Sequence, residues 1–209
     1  KKYYEEFDKD NNLELKGKLS GTLNDMHWKD TRISGLSQTV IKTQDMQLKD
    51  LLATDRGFLI KGDFEQLATS YPDLIQLLPG LLKEQLPPLL KRLGQVDLIG
   101  NNSISDNHIK IHSNIKTDLG NLHIKAGFNN YTDQDKVSYK GRINIDDLDT
   151  GKLLDQKKLG LAQAVLNIEG KGFTTNSLNT AIKGHISKID LGDYDYNDIR
   201  LNGNLKHPL

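Results

Sequence analysis

Apolar and polar side chains alternate along three successive runs in the middle of the chain. In the first run, residues 107–117, Ile109, Ile111 and Ile115 fall on one face, while histidine, lysine and asparagine occupy the other. Runs 121–129 and 136–146 repeat the pattern. Because successive side chains of a β-strand point to opposite faces of a sheet, each run predicts a strand with one apolar and one polar face.

Short polar segments separate these runs. Residues 118–121 and 129–133 are rich in Asp, Asn and Gly, which favours tight connections between antiparallel neighbours. The centre of the chain is therefore predicted to be a three-stranded meander. Similar runs raise the predicted total to about ten strands, and they lie at 13–19, 39–48, 57–64, 95–100, 162–172, 178–186 and 194–205.

Glycine recurs inside these predicted strands. Because glycine weakens a strand and usually marks a bend, a bulge or a close approach, its repetition predicts a strongly curved sheet. A simpler interpretation is that several of these glycines only end strands. They are Gly17, Gly62, Gly100, Gly141, Gly170, Gly184 and Gly203.

One segment, residues 71–93, breaks the two-residue period. Its leucines follow a helical period, and Pro72 suits the start of a helix. Pro79, Pro87 and Pro88 would interrupt any helix that contains them, so two or three short helical pieces are expected, ending at Gly94. A second short helix is expected at 150–156, with Leu153 and Leu154 pointing inward. The insert residues expected to face apolar surroundings are Leu74, Leu78, Leu81, Leu82 and Leu89.

The predicted fold is thus mainly β: a long curved antiparallel sheet forming an open groove, with a Leu/Pro-rich helical insert. The expected organisation is groove strands at 1–68, the insert at 69–94 and further groove strands at 95–209, within one segment of a larger protein. The apolar residues predicted to line the groove are Ile109, Ile111, Ile115, Leu122, Ile124, Phe128, Val137, Tyr139, Ile143, Ile145, Leu166, Ile168, Ile182 and Ile186.

Composition excludes several classes of function. The 28 basic and 28 acidic residues balance, so nothing in the net charge points to nucleic acid as a partner. The chain has no cysteine, which rules out disulfides and thiolate chemistry. The sequence contains no run of about 18 apolar residues, which is the length that would predict a membrane-spanning helix.

No motif predicts catalysis or a cofactor. Residues 149–151 spell the aspartic-protease triplet Asp-Thr-Gly, but a helix capped by Asp149 is the simpler interpretation. The calcium-loop imitations at 8–12 and 193–197 lack the required glycine and glutamate.

Histidine spacing also argues against a metal site. On a strand, His108 and His112 would lie about 13 Å apart, too far for one zinc ion. His123, on the adjacent strand, is close enough to approach one of them.

The apolar face is larger than the insert can cover. Proteins in water rarely leave several hundred Å² of apolar surface bare. The chain therefore either folds over into a closed β-sandwich or forms a trough that holds apolar matter. A trough lined by Leu, Ile, Phe and Val would suit acyl chains or an amphipathic strand, since each buried methylene contributes about 0.8 kcal/mol.

Several stretches resemble a known family. They are 13–23 (LELKGKLSGTL), 115–120 (IKTDLG), 149–154 (DTGKLL), 194–203 (YDYNDIRLNG) and the KRLG stretch at 91–94. Together they look like the TamB-type translocation and assembly module proteins of the Bacteroidetes, within the AsmA-like superfamily. The resemblance covers most of the chain.

This resemblance implies a periplasmic, non-enzymatic protein of the Gram-negative envelope. The implied roles are phospholipid passage between the inner and outer membranes and support of outer-membrane protein assembly. The implied partners are the inner membrane, through an N-terminal anchor, and an outer-membrane Omp85-type barrel, through a C-terminal region. On this resemblance we expect the chain to be a middle segment that includes neither region.

Two alternatives remain open at this point. In the first, the groove binds strands of outer-membrane proteins instead of lipid, as a scaffold or chaperone. In the second, the chain is a carbohydrate-binding or adhesive β-sandwich. The last alternative expects an exposed aromatic platform, which the single Trp28 and the pair Tyr194 and Tyr196 do not clearly provide.

Overall fold

A computed structural model describes residues 13–51, 57–77 and 88–206 of the chain. It consists of one antiparallel sheet in which eleven strands follow one another in sequence order. The strands are β1 Glu14–Thr22, β2 Asp25–Gly35, β3 Thr39–Lys49, β4 Leu59–Ser70, β5 Gln95–Ser105, β6 His108–Thr117, β7 Gly120–Asn129, β8 Ser138–Asp149, β9 Leu159–Lys171, β10 Asn179–Leu191 and β11 Tyr194–Lys206.

The prediction of a mainly β, open antiparallel sheet is confirmed. Each strand hydrogen-bonds only to its sequence neighbours, and β1 and β11 remain as the two edges. The central meander lies where the alternation placed it, as β6, β7 and β8. The sheet forms a single open layer, whereas a β-sandwich would need two packed layers.

The sequence patterns missed one strand, β2. Met26, Trp28, Thr31 and Ile33 face the same side of the sheet but change parity half-way along the strand. The reason is that Asp30 adopts a positive φ of 48° and adds an extra residue to the strand. The register accordingly shifts where β2 faces Gly17 of β1. A bulge of this kind interrupts the period of two on which strand recognition depends.

Glycines inside strands permit close contact between neighbours, as their repetition predicted. At Gly100, which has φ of 144°, an added Cβ would lie 2.2 Å from the carbonyl oxygen of His112. An added Cβ at Gly141 would lie 2.5 Å from Cβ of Ala126. Side chains there would push β5 from β6 and β7 from β8, so these positions require glycine. At Gly203, by contrast, an added Cβ would meet nothing within 4 Å.

Three short helices lie at one end of the sheet. They are α1 Tyr71–Leu77, a 3-10 helix Pro88–Leu93 and α2 Thr150–Leu154. The helix starts predicted at residues 71 and 150 are confirmed, and Gly94, with φ of 69°, follows the 3-10 helix. Asp149 caps α2 by accepting a hydrogen bond from the backbone N–H of Lys152 at 2.9 Å. Leu154 was expected to point inward, but it is 50% exposed because α2 turns that side away from the sheet.

Buried Asp73 fixes α1 to the sheet. Its carboxylate accepts hydrogen bonds from the Ser37 hydroxyl at 2.7 Å, the Gln38 backbone N–H at 3.0 Å and the Thr39 hydroxyl at 2.8 Å. Burial by itself raises the pKa of this carboxyl, but these hydrogen bonds outweigh it and hold the pKa below the ordinary value.

The opposite end of the sheet carries a small enclosed core. Val137 is fully buried, and Tyr131 and Tyr139 are nearly so. Phe128 and Ile109 pack against this cluster. The Tyr131 hydroxyl donates a hydrogen bond to the Ser105 carbonyl at 2.8 Å. This cluster closes one end of the sheet as the helices close the other.

Candidate functional site

The strand register places most apolar side chains of the eleven strands on one face. Partners opposite one another in a sheet share a face, so rows of residues can be followed from β1 to β11. The row through Ile111 is Leu19, Trp28, Met46, Gly62, Asn102, Ile111, Ala126, Gly141, Ile168, Ile182 and Gly203.

Four further rows run parallel to this one on the same side of the sheet. The row through Ile115, for example, is Leu15, Ile33, Ile41, Leu67, Leu98, Ile115, Leu122, Ile145, Ala164, Ile186 and Ile199. The other three rows pass through Ile109, Ile124 and Thr117. Within these five rows no described residue carries a charge. We call this side the apolar face.

Every groove-lining residue predicted on β6 to β10 lies on the apolar face. Ile109, Phe128 and Tyr139 share one row, and Ile111, Ile168 and Ile182 share the next. The remaining strand residues of that prediction are divided between the Ile124 and Ile115 rows. They are Ile143 and Leu166 in the former, and Ile115, Leu122, Ile145 and Ile186 in the latter.

Two of the predicted lining residues belong to the core instead. Val137 has no exposed surface, and Tyr139 is only 7% exposed. The ring of Phe173 stacks on Tyr139 with centroids 5.0 Å apart, and Tyr131 packs on the same cluster. Because neighbouring side chains already cover Val137 and Tyr139, these residues support the sheet but offer little surface to a ligand.

Most other side chains of the apolar face are half-buried. Ile109, Ile111, Ile115 and Ile124 all retain exposed surface in the middle of the sheet. On the opposite face, Ile99 is more exposed, at 52%. Ten strand spacings of about 4.8 Å and five rows give the apolar face roughly 1,300 Å². Part of this footprint is polar or already buried, but the footprint as a whole is larger than the few hundred Å² of contiguous apolar surface that a protein ordinarily leaves exposed to water.

The described parts of the helical insert do not cover the apolar face. Helix α1 contacts β4, from whose end it continues, and the 3-10 helix contacts α1 and α2. Leu74 is half-buried and Leu89 is 40% exposed. The other insert leucines of the prediction, Leu78, Leu81 and Leu82, lie outside the described residues.

Several polar side chains on the apolar face hydrogen-bond within the sheet, although the buried indole N–H of Trp28 has no partner there among the described residues. The Ser113 hydroxyl donates to the Asn102 side-chain oxygen at 2.9 Å, and the Asn102 amide donates to the Gly100 carbonyl at 3.3 Å. Thr43 donates to the Asp63 carbonyl at 2.7 Å. These hydrogen bonds hold the polar atoms against the sheet. The apolar face is therefore uncharged from β2 to β6, but it is less apolar there than from β6 to β10.

No known protein family, curated protein or solved structure matches this chain. Among the described residues, no helix has the length and apolar character needed to cross a bilayer. The same residues contain no group of three His, Cys, Asp or Glu side chains placed to hold a metal ion.

The opposite side of the sheet is the polar face. As the spacing predicted, His123 approaches His112, and their rings meet edge to face with centroids 5.8 Å apart. His108 instead hydrogen-bonds to Asn129 at 2.7 Å. The second calcium-loop imitation is the hairpin end between β10 and β11, as expected. The first one, at 8–12, lies outside the described residues.

The sequence patterns did not single out a cleft on the polar face. It has a volume of about 980 Å³ and is bordered by β4 to β10. The lysines that line the cleft alternate along their strands with apolar residues; Lys110, for example, lies between Ile109 and Ile111. The signal was therefore present in the sequence, but alternation alone also fits an ordinary solvated face.

Proposed function

We propose that this chain is a groove segment of a periplasmic envelope protein that holds or conducts phospholipid by binding its acyl chains on the apolar face. The observation that carries this proposal is the row structure: eleven hydrogen-bonded strands present one uncharged, largely aliphatic surface, and no second layer of the described residues covers it. Such a surface selects for apolar matter, because it offers methylene contacts but no convergent polar groups for a headgroup.

The resemblance to TamB-type proteins supports the same role independently. In that context the segment would lie between an inner-membrane anchor and an outer-membrane Omp85-type barrel, and its sheet would form part of the lipid path. The proposed activity requires no catalytic residue and no cofactor.

A second candidate function is the binding of unfolded outer-membrane protein strands. The observation that favours it is the exposure of the two edge strands. Nearly every residue of β1 and β11 is exposed, and β11 extends over 13 residues. A long open edge presents unpaired backbone N–H and C=O groups to which a partner strand can add.

Photocrosslinking separates the two candidates. A photoreactive amino acid would replace Ile111, Ile124 or Ile143 on the apolar face, with Ile99 on the polar face as the matched control position. We expect crosslinks to phospholipid at the three apolar-face positions and none at Ile99. A further photoreactive position, Leu205 on the edge strand β11, tests the second candidate. Crosslinks to polypeptide at Leu205, without phospholipid crosslinks on the apolar face, would favour the strand-binding scaffold. Equal labelling at Ile99 would contradict both candidates.

A further inference from the structure

Five lysines from five different strands surround the polar-face cleft. They are Lys61 of β4, Lys110 of β6, Lys125 of β7, Lys140 of β8 and Lys183 of β10. Six strand spacings separate β4 from β10, so the lysines are spread over about 29 Å across the sheet. The cleft therefore offers an extended line of positive charge.

This positive charge is not balanced locally. Glu169 is the one carboxylate among the described residues that line the cleft, and it pairs with Lys140 at 2.8 Å. Five lysines against one glutamate leave four positive charges, whereas the whole chain has a net charge of zero. Asp63 shares a row with Lys125 but does not line the cleft.

Like charges also face one another at the cleft. Lys125 stands directly opposite Arg142 in the register of β7 and β8, as Lys18 stands opposite Lys29 outside the cleft. Outside the cleft, however, carboxylates accompany such lysines: Lys18 pairs with Asp30 at 3.7 Å, and Lys188 lies between Asp190 at 3.4 Å and Asp195 at 3.6 Å. Like charges directly opposite one another destabilise a sheet. A bound anion would relieve this repulsion.

The other groups around the cleft narrow the class of ligand. Asn101, Ser103 and Asn167 line it and can hydrogen-bond to hydroxyl groups. Among the described lining residues, His112 is the only ring, so stacking platforms for nucleic-acid bases are lacking there. A recessed cleft also fits a linear chain better than it fits the flat surface of a bilayer.

We propose that the polar-face cleft binds an acidic polysaccharide. The lysines would pair with its carboxylate or sulfate groups, and the asparagines and the serine would bond to its hydroxyls. Ile111 and Ile168, which belong to the apolar face, also border the cleft. None of its five lysines lies on that face, so recognition by charge does not require lipid binding. The cleft also differs from the aromatic sugar platform considered from the sequence, because charge and not stacking would carry recognition.

Binding of polygalacturonate and heparin oligosaccharides to the full chain, measured by calorimetry at low salt, tests the proposal. The test variant is Lys110→Gln/Lys125→Gln/Lys140→Gln. The matched control, Lys29→Gln/Lys42→Gln/Lys116→Gln, removes the same charge from the polar face outside the cleft. Each lysine is expected to contribute about fivefold, so the test variant should lose on the order of a hundredfold in affinity.

The control variant should retain its affinity within about threefold, and added salt should weaken binding of the unmodified chain. Equal losses in both variants would overturn the proposal, because they would indicate diffuse attraction to the whole face. Absence of binding to either glycan would also overturn it. So would tighter binding of oligothymidylate, polyglutamate or phosphatidylglycerol vesicles than of the glycans. A circular dichroism melt of each variant confirms that the sheet is retained.

Discussion

Ile124 of β7 lies directly opposite Ile143 of β8, and both side chains stand half-buried on the apolar face. Strands β7 and β8 each hydrogen-bond to a neighbouring strand on both sides. The backbone at this position is therefore held independently of whatever contacts the two side chains. This separation lets the sheet fold while its apolar face stays available to a ligand.

Substitution Ile124→Asp should therefore abolish lipid binding while the sheet still folds. A carboxylate placed among acyl chains loses its hydration, so the affinity for a fluorescent phospholipid should fall about tenfold or more. The measurement is a fluorescence titration, accompanied by a thermal melt. The matched control is Ile99→Asp, which places the same change on the polar face and should leave affinity within about twofold. Loss of folding in Ile124→Asp would instead identify Ile124 as ordinary core.

Val137 should behave as core and not as groove lining. Because its side chain is fully enclosed by Tyr131 and Tyr139, Val137→Ala should lower the free energy of unfolding by about 2 kcal/mol. The control Val165→Ala changes a half-buried residue on the polar face and should cost less than about 1 kcal/mol. Urea denaturation of the two variants measures the difference. Equal costs would contradict the distinction between the enclosed end and the open face.

Asp73 should make stability depend on acidity. Its folded-state pKa is lowered, so its contribution is fully present above the ordinary carboxyl value of 3.8 and is lost as pH falls below it. Asp73→Ala leaves the Ser37, Gln38 and Thr39 donors without their acceptor and should cost about 2–3 kcal/mol near neutral pH. Unfolding measured from neutral pH down to pH 3 should show the variant and the unmodified chain converging. A constant gap between them would contradict this role.

The hydroxyl of Tyr131 should lose its proton at a higher pH than that of an ordinary tyrosine. Burial, with a smaller effect of the nearby Asp106 carboxylate, raises its pKa to about 12. A raised pKa means that its contribution to stability is present below about pH 10 and is lost as pH rises through the folded value. Tyr131→Phe removes the hydrogen bond to Ser105 and should cost about 1 kcal/mol. Ultraviolet titration should show one fewer late-titrating phenol in the variant, and an unchanged titration curve would contradict the assignment.

Alternation along the strands predicted most of the fold. Strands β6 to β8 could be predicted from the sequence, because apolar and polar residues alternate along them without interruption, as they do around Ile109, Ile124 and Ile143. Strand β2 could not be read, because the extra residue Asp30 reverses the phase within it. A local positive φ leaves no clear mark in a sequence that lacks glycine at that position.

The candidate site was predicted only in part for a similar reason. A period of two assigns side chains to a face, but it does not reveal which of them a loop will cover. Tyr131 and Phe173 come from connections between strands, and they enclose Val137 and Tyr139. The polar-face cleft was missed because it depends on the register of seven strands, β4 to β10, which brings Lys110, Lys125 and Lys140 to the same side of the sheet.

Contact between acyl chains and individual side chains tests the central claim most directly. With isoleucine methyl groups labelled for NMR, a spin-labelled stearic acid would be added to the full chain. We expect it to broaden the methyl signals of Ile111, Ile115, Ile124 and Ile143, while the signal of Ile99 stays sharp. Broadening of Ile99 to the same extent, or no broadening on the apolar face, would contradict the account.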